Sequence, residues 1–219
     1  MRLNKFVAQA TGMSRRAADA AIAENRVLVN GQAPQAGQQV SDQDKVTLDG
    51  QALSVQSLTT IILNKPVGYV VSRAGQGAKT IYDLLPANYH SLKPVGRLDK
   101  DSSGLLLLTN DGELANRLTH PRFEHRKVYE IRLDTALQPL HQQMINDIGV
   151  QLKDGRSQLQ LVKLEDATHW RVRMHEGRNR QIRRTFAALG YTVIDLHRTE
   201  FGNFSLSDLK AGSHRKAAG

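Results

Sequence analysis

The sequence predicts an α+β protein in two parts, and three observations carry that prediction. Helical periodicity and short strand-like runs follow one another without regular strand–helix alternation, which argues for a mixed, largely antiparallel sheet rather than a doubly wound one. A polar stretch from Gln51 to Thr59 interrupts the apolar pattern and places a boundary near residue 57. Charge divides there too. Residues 1–57 hold 6 Lys/Arg against 5 Asp/Glu, net +1, and residues 58–219 hold 24 against 16, net +8, which together give the +9 of the chain.

In the first part, Leu3, Phe6, Val7 and Ala10 recur at helical spacing, and Gly12 punctuates. Ser14 is a good N-cap for a second helix through Ala17, Ala18, Ala21 and Ile22, which ends near Asn25. Val27-Leu28-Val29 reads as a strand, and Asn30-Gly31 as a tight turn that favours positive φ. Val40, Val46 and Leu48 suggest further short strands, with turns at 42–44 and Asp49-Gly50.

The second part offers strands at Thr60–Leu63, Tyr69–Ser72, Leu105–Thr109, Val128–Leu133, Leu159–Lys163 and Trp170–Met174. Its helices are expected at Asp111–Thr119, Leu137–Asp147 and Asn179–Leu189, and Ala211–Gly219 reads as a frayed tail. Flanking helices on a sheet are the architecture this implies.

Composition excludes several functions. With 219 residues, 40% hydrophobic and 23% charged, the chain can bury a core without staples. It has no cysteine, so disulfides, thiolate metal sites and a cysteine nucleophile are excluded. Eight histidines show no HExxH spacing, so no metal is expected. No apolar run approaches the ~18–20 residues of a membrane span, and no signal-peptide core follows Arg2 and Lys5. A cytoplasmic, soluble protein facing a polyanion is the reading, with no membrane contact. Gly77-Ala78-Lys79-Thr80 lacks both glycines of a phosphate loop, with Ala78 and Arg73 in their places. No glycine-rich turn marks a dinucleotide or methyl-donor site.

Two motifs survive. Gly96-Arg97-Leu98-Asp99-Lys100-Asp101-Ser102-Ser103-Gly104 feeds the run Leu105–Leu108. Taken alone, two aspartates in a loop are solvated charges. Their density at the mouth of an apolar strand suits a rigidly held carboxylate. The other motif is Arg171, Arg173, Arg178, Arg180, Arg183 and Arg184, opposed within that stretch by Glu176 alone. Its bland reading is a solvated basic face, and its functional one a phosphate-binding face, since arginine suits bidentate phosphate contact and Gly177 and Asn179 would open a helix whose N–H groups favour anions.

Together these motifs resemble the pseudouridine synthase family that modifies ribosomal RNA, in the branch with an N-terminal S4 RNA-binding module. Arg2–Phe6, Ser14–Ala18 and Val27–Gly31 are similar to the S4 pattern. Leu63–Val70, Gly96–Asp99 with Ser103–Leu106, Lys127–Tyr129 and Glu176–Arg184 are similar to the catalytic-domain motifs. Five ordered motifs with sensible gaps are specific, where Arg-Leu-Asp alone is not.

The resemblance implies an S4 domain at 1–57 and a catalytic domain at 58–219 with its cleft across the sheet. It implies a cofactor-free isomerisation in which uridine is flipped out, its C1′–N1 bond is broken, and the base is rejoined through C5. Asp99 would be the essential carboxylate, acting as nucleophile or base, Arg183 its partner, and Tyr129 the residue stacking on the uracil. Lys65, Arg97, Arg178 and Arg180 would contact RNA or shape the cleft, and Arg15 and Arg16 would grip structured RNA. The partner would be ribosomal RNA, free or in an assembling subunit, met by a monomer.

Asp111–Leu118 with His120-Pro121, and Glu176–Arg180, favour a large-subunit substrate, while Met1–Leu3 and Leu196–Arg198 point to the small subunit. Thr185 stands where relatives often carry a larger apolar residue, and the chain after Gly212 is short. The competing reading is a non-catalytic S4-type RNA-binding or ribosome-assembly factor, which has no need of Asp99, Tyr129 and Arg183 together. An S4-bearing methyltransferase is disfavoured by the missing methyl-donor turn.

Overall fold

The structure, a computed structural model, describes residues 1–55 and 57–217. It divides into two units, Met1–Thr59 and Thr60–Gly219.

In the first unit, α1 (Leu3–Thr11) buries Leu3, Phe6 and Val7 and stops where Gly12 turns left-handed at φ 77°. The Ser14 hydroxyl accepts the Ala17 N–H and starts α2 (Arg15–Ala23). Strands β1 (Val27–Val29), β2 (Val46–Leu48) and β3 (Gln51–Ala52) form an antiparallel sheet in that order. Both predicted tight turns have two positive φ values, 53° and 81° at Asn30-Gly31 and 51° and 79° at Asp49-Gly50. Val40 is buried as expected but lies outside any strand, its N–H bonded to the Met1 carbonyl. The polar stretch is shorter than predicted, because Gln51 and Ala52 pair with β2; Gln56 within it lies outside the described residues.

The second unit is built on one large sheet. Its elements are β4 (Thr60–Lys65), β5 (Lys93–Val95), β6 (Ser103–Thr109), α3 (Gly112–Thr119), β7 (Lys127–Leu133), α4 (Pro139–Gln143), the β8 (Val150–Leu152) and β9 (Gly155–Ser157) hairpin, β10 (Gln160–Lys163), β11 (His169–Met174), α5 (Gln181–Ala187), β12 (Val193–Phe201), β13 (Phe204–Ser205) and β14 (His214–Lys216). The strand order is β10-β11-β7-β12-β6-β4-β14, with β5 beside β6 and β13 beside β12. Among the described residues β12 and β6 run parallel and every other pair in this sheet is antiparallel.

The four leucines of β6 divide between the two faces, as alternation requires. Leu106 and Leu108 join a cluster with Ile61, Tyr129 and Phe186, while Leu105 and Leu107 join one with Val95, Leu118 and Phe201. A strand with core on both sides reads as a continuous apolar run. Where β6 meets β12, a Cβ on Gly104 would collide with the Arg198 backbone, and its φ is +104°. Only glycine lets the two strands pair there.

Several expectations are corrected. Tyr69–Ser72 is no strand; Val70 makes one isolated bridge to Thr80. The helix predicted at 137–147 begins at Pro139 and passes at Met144 into a π turn that ends at Gly149. The tail is not frayed, since β14 pairs with β4 through Arg215 and Ile62; Ala218 and Gly219 lie outside the described residues.

Candidate active site

The site grows from the loop between β5 and β6. Lys65, at the end of β4, is fully buried beneath it. Its ammonium donates to the carbonyls of Pro66 (3.1 Å), Asp99 (3.0 Å) and Ser102 (2.7 Å). One side chain therefore ties the loop around Asp99 to the sheet. Lys65 spends its donors on these three carbonyls, so it shapes the cleft by anchoring the loop, one of the two roles expected of it, and the RNA contact is corrected. Burial pushes its ammonium down to about 8, while the Asp101 and Asp99 carboxylates pull the other way.

Asp99 projects from this anchored loop. Its Oδ2 lies 3.3 Å from Arg180 Nη1. The same guanidinium grips Asp101 with both terminal nitrogens, at 3.1 and 2.9 Å. The Arg180 hydrogen bond is the main reason the Asp101 carboxyl sits below its usual range; burial opposes it, and the Arg183 charge adds to it. Arg180 is the N-cap of α5 in the left-handed region, φ 47°, an uncommon conformation for arginine that aims its side chain back at the loop.

Arg183 was expected on Asp99, and the structure seats it elsewhere. It donates to the Asp101 carbonyl (2.8 Å) and to the Val193 carbonyl, and its Nε stands 3.4 Å from the Asp101 carboxylate. Arg180 is the cation on Asp99.

Asp99, Tyr129 and Arg183 line one cleft of about 290 Å³, together with Arg97, Arg178 and Arg180. Its other walls include Leu118, Met174, Ile182, Leu196, Arg198 and Phe201. Tyr129, on β7, is 8% exposed and is one of two aromatic residues lining that cleft, with Phe201. The volume lies just below the ~300–1,000 Å³ typical of ligand pockets, room for a small group and not for a helix.

Most of the arginine-rich stretch is spent internally. Arg178 donates to the Asp154, Gly155 and Arg156 carbonyls and pairs with Asp154 and Glu176. It pins the β8–β9 hairpin and is not a free phosphate contact, a second correction. Arg184 makes a bidentate pair with Asp154 at 2.8 Å, and Arg171 pairs with Glu130 at 2.9 Å. Glu176 is therefore not the sole counter-charge, because Asp99, Asp101, Glu130 and Asp154 arrive from other elements. The helix starts at Gln181, so Gly177 and Asn179 do not open it. Arg97 is exposed on the cleft rim and makes no ion pair among the described residues. Arg15 and Arg16 are exposed on α2 of the first unit.

Thr185, the departure noted in the sequence, is fully buried and satisfied, donating to the Ser157 hydroxyl and the Gln181 carbonyl. Four cleft residues carry buried polar atoms with no hydrogen-bond partner among the described residues, Ser102 Oγ, Arg178 Nε, Arg183 Nε and Arg198 Nη2; of these, only the Arg198 atom is a terminal guanidinium nitrogen. Sequence reasoning assigned no role to Arg198, Phe201 or Lys127. Arg198 and Phe201 come from β12, a strand whose charged residues concealed it. No group of three or more His, Asp or Glu among the described residues could hold a metal ion.

Residues 59–188 match the family model described as RNA pseudouridylate synthase, and residues 1–51 match that of the S4 domain. The chain is 35% identical to ribosomal large subunit pseudouridine synthase B of Bacillus subtilis (strain 168) over 98% of its length and 91% of the relative's. It is 36% identical to ribosomal small subunit pseudouridine synthase A of Pasteurella multocida (strain Pm70), over 98% and 95%. A crystal structure of a pseudouridylate synthase superposes with a TM-score of 0.69 at 30% identity, covering all of this chain and 96% of the other. The chain belongs to the RNA pseudouridine synthase family, whose members are isomerases, in the branch that carries an S4 domain.

Proposed function

We propose that this chain converts a uridine of ribosomal RNA to pseudouridine, with large-subunit RNA as substrate and Asp99 as the reacting carboxylate. One observation carries the reading. The Asp99 backbone is anchored by buried Lys65 and its carboxylate is oriented by Arg180, at the mouth of a small cleft that Tyr129 lines. A non-catalytic RNA-binding factor needs none of this.

A stacked uridine cannot enter the cleft, so it is flipped out, at a cost of a few kcal/mol. Tyr129 takes one face of the base. The Asp99 carboxylate then attacks C1′ or takes the C2′ proton, and the C1′–N1 bond breaks. The ring turns and C5 bonds to C1′ as the Asp99–C1′ ester breaks or the C2′ proton returns, while C5 loses its proton and N1 gains one. Orientation is what the site supplies, and holding a reactant and a group in register lowers barriers substantially. Arg183 acts through Asp101, steadying the loop rather than Asp99 itself. RNA is drawn by free cations, Arg97 at the rim and Arg15 and Arg16 on the S4 module, and such contacts position without reading sequence. The substrate implies a cytoplasmic protein acting as a monomer on RNA or on an assembling subunit.

The names of the relatives support both subunits as substrates; the motifs at 111–121 and 176–180 favour the large one. Tritium release from C5-labelled transcripts of each subunit's RNA tests this, because rejoining through C5 expels that hydrogen. Release from large-subunit RNA alone is expected. Release from small-subunit RNA alone overturns the assignment.

A further inference from the structure

We propose that Arg198 donates a hydrogen bond to a carbonyl oxygen of the uracil in the cleft and stabilises the negative charge the ring gains as its glycosidic bond breaks. The proposal rests on the functional reading above and adds a residue to it.

Arg198 sits on β12 and is 2% exposed. A guanidinium stays charged at that depth. Its Nε donates to the Leu105 carbonyl at 2.8 Å, which fixes the plane of the group. Its Nη2 is buried with no acceptor among the described residues. Burying an unpaired N–H of a cation is unfavourable, so an unmet donor at a cleft wall points to a ligand atom that meets it.

The surroundings say which atom. Register places Arg198 directly across from Tyr129 on β7 and Gly104 on β6. The guanidinium lies over the Phe201 ring, 5.0 Å from its centre. Lys127 approaches the same ring at 5.5 Å, and burial and the Arg198 charge both hold its ammonium below the usual range. A planar base against Tyr129 would therefore turn an edge toward a cation held against an aromatic ring.

The chemistry gives that cation a purpose. When C1′–N1 breaks, its electron pair stays on the ring and spreads over N1, O2 and O4. C5 then bonds to C1′ and releases its proton, and N1 takes one up, so atoms and charge balance. A phosphate carries the same charge throughout, but the ring is anionic only along the reaction path. A fixed donor on a ring oxygen stabilises that path more than the bound substrate.

The test uses the full chain in single turnover, with enzyme saturating over RNA. Arg198→Gln should slow pseudouridine formation roughly 10²–10³-fold, the loss typical of one such donor, with RNA affinity near the parent's and a melt that stays cooperative at a somewhat lower temperature. Arg198→Lys keeps the charge and should recover part of the rate. A folded Arg198→Gln as fast as the parent overturns the proposal. So does a loss that saturating enzyme removes, which marks a phosphate contact. If neither variant folds, a crystal structure of Asp99→Ala with bound RNA decides. A uracil oxygen about 3 Å from a terminal nitrogen of Arg198 supports the contact, and a water or phosphate there contradicts it. A parent that forms no pseudouridine in either subunit's RNA sinks the functional reading instead.

Discussion

Lys65 shows how a residue type can mislead when its burial is unknown. In the sequence it is a cation beside a catalytic motif, and an RNA contact is the natural reading. In the structure its ammonium is enclosed by three carbonyls. Replacing it with methionine keeps the stem and strips those carbonyls of their donor. Each buried group left unmet costs ~1–3 kcal/mol, so urea unfolding of Lys65→Met should show a loss of about 3 kcal/mol or more. A loss below about 1 kcal/mol would deny the anchor role. Its pH behaviour follows from the depressed value. The folded pKa of about 8 lies below the usual 10.5, so between them the folded chain holds fewer protons, and Lys65's contribution to stability rises with pH across that window. Asp101 has the opposite sign. Its lowered carboxyl contributes stability above the ordinary carboxylate range and loses it as pH falls through the folded value. Removing the principal cause, in Arg180→Met, should return the Asp101 titration toward its ordinary value by NMR. An unmoved titration would mean that the Arg180 contact is not formed in solution.

Among the elements, those with strong local patterns were legible. The helices around Ala18 and Leu118, the leucine-rich β6, and β7, β10 and β11 were placed within about two residues of their observed ends. The longest strand was not. In β12, Asp195, His197, Arg198 and Glu200 break the apolar alternation, and two bulges disrupt its register with β7. Charge on a central strand reads as surface until its partners are known. The candidate site divides similarly. Asp99, Tyr129, Arg97 and Arg180 share the predicted cleft, because motif and resemblance both point there. Arg178 was misread because its acceptors, the carbonyls of 154–156, lie more than twenty residues away. Thr185 was flagged as a packing change, and its hydroxyl proves to be the joint between α5 and Ser157. Close approach of elements is testable at Gly104. Alanine there would meet both a positive φ and the Arg198 backbone, and should lower stability by about 3 kcal/mol or more. A melting temperature equal to the parent's would show that β6 and β12 do not pair so tightly.

Across the whole molecule the count of 30 Lys and Arg overstates the free basic surface. Arg171, Arg178, Arg180, Arg183 and Arg184 are paired with carboxylates in the second unit, whereas Arg15 and Arg16 have no counter-ion among the described residues. Replacing Arg15 and Arg16 with alanine should weaken RNA binding and flatten the salt dependence by about 1–2 in log–log slope. An unchanged slope would remove the S4 module from the RNA contact. Such a variant should still turn over bound RNA, because its lesion is in capture. In the proposed function Asp99 is the reacting carboxylate, and RNA capture does not depend on it. The most direct test compares the parent with Asp99→Ala for tritium release from C5-labelled ribosomal RNA, with RNA affinity measured alongside. No release by the variant, at near-parent affinity, is the predicted result. Release at a rate near the parent's would contradict the account.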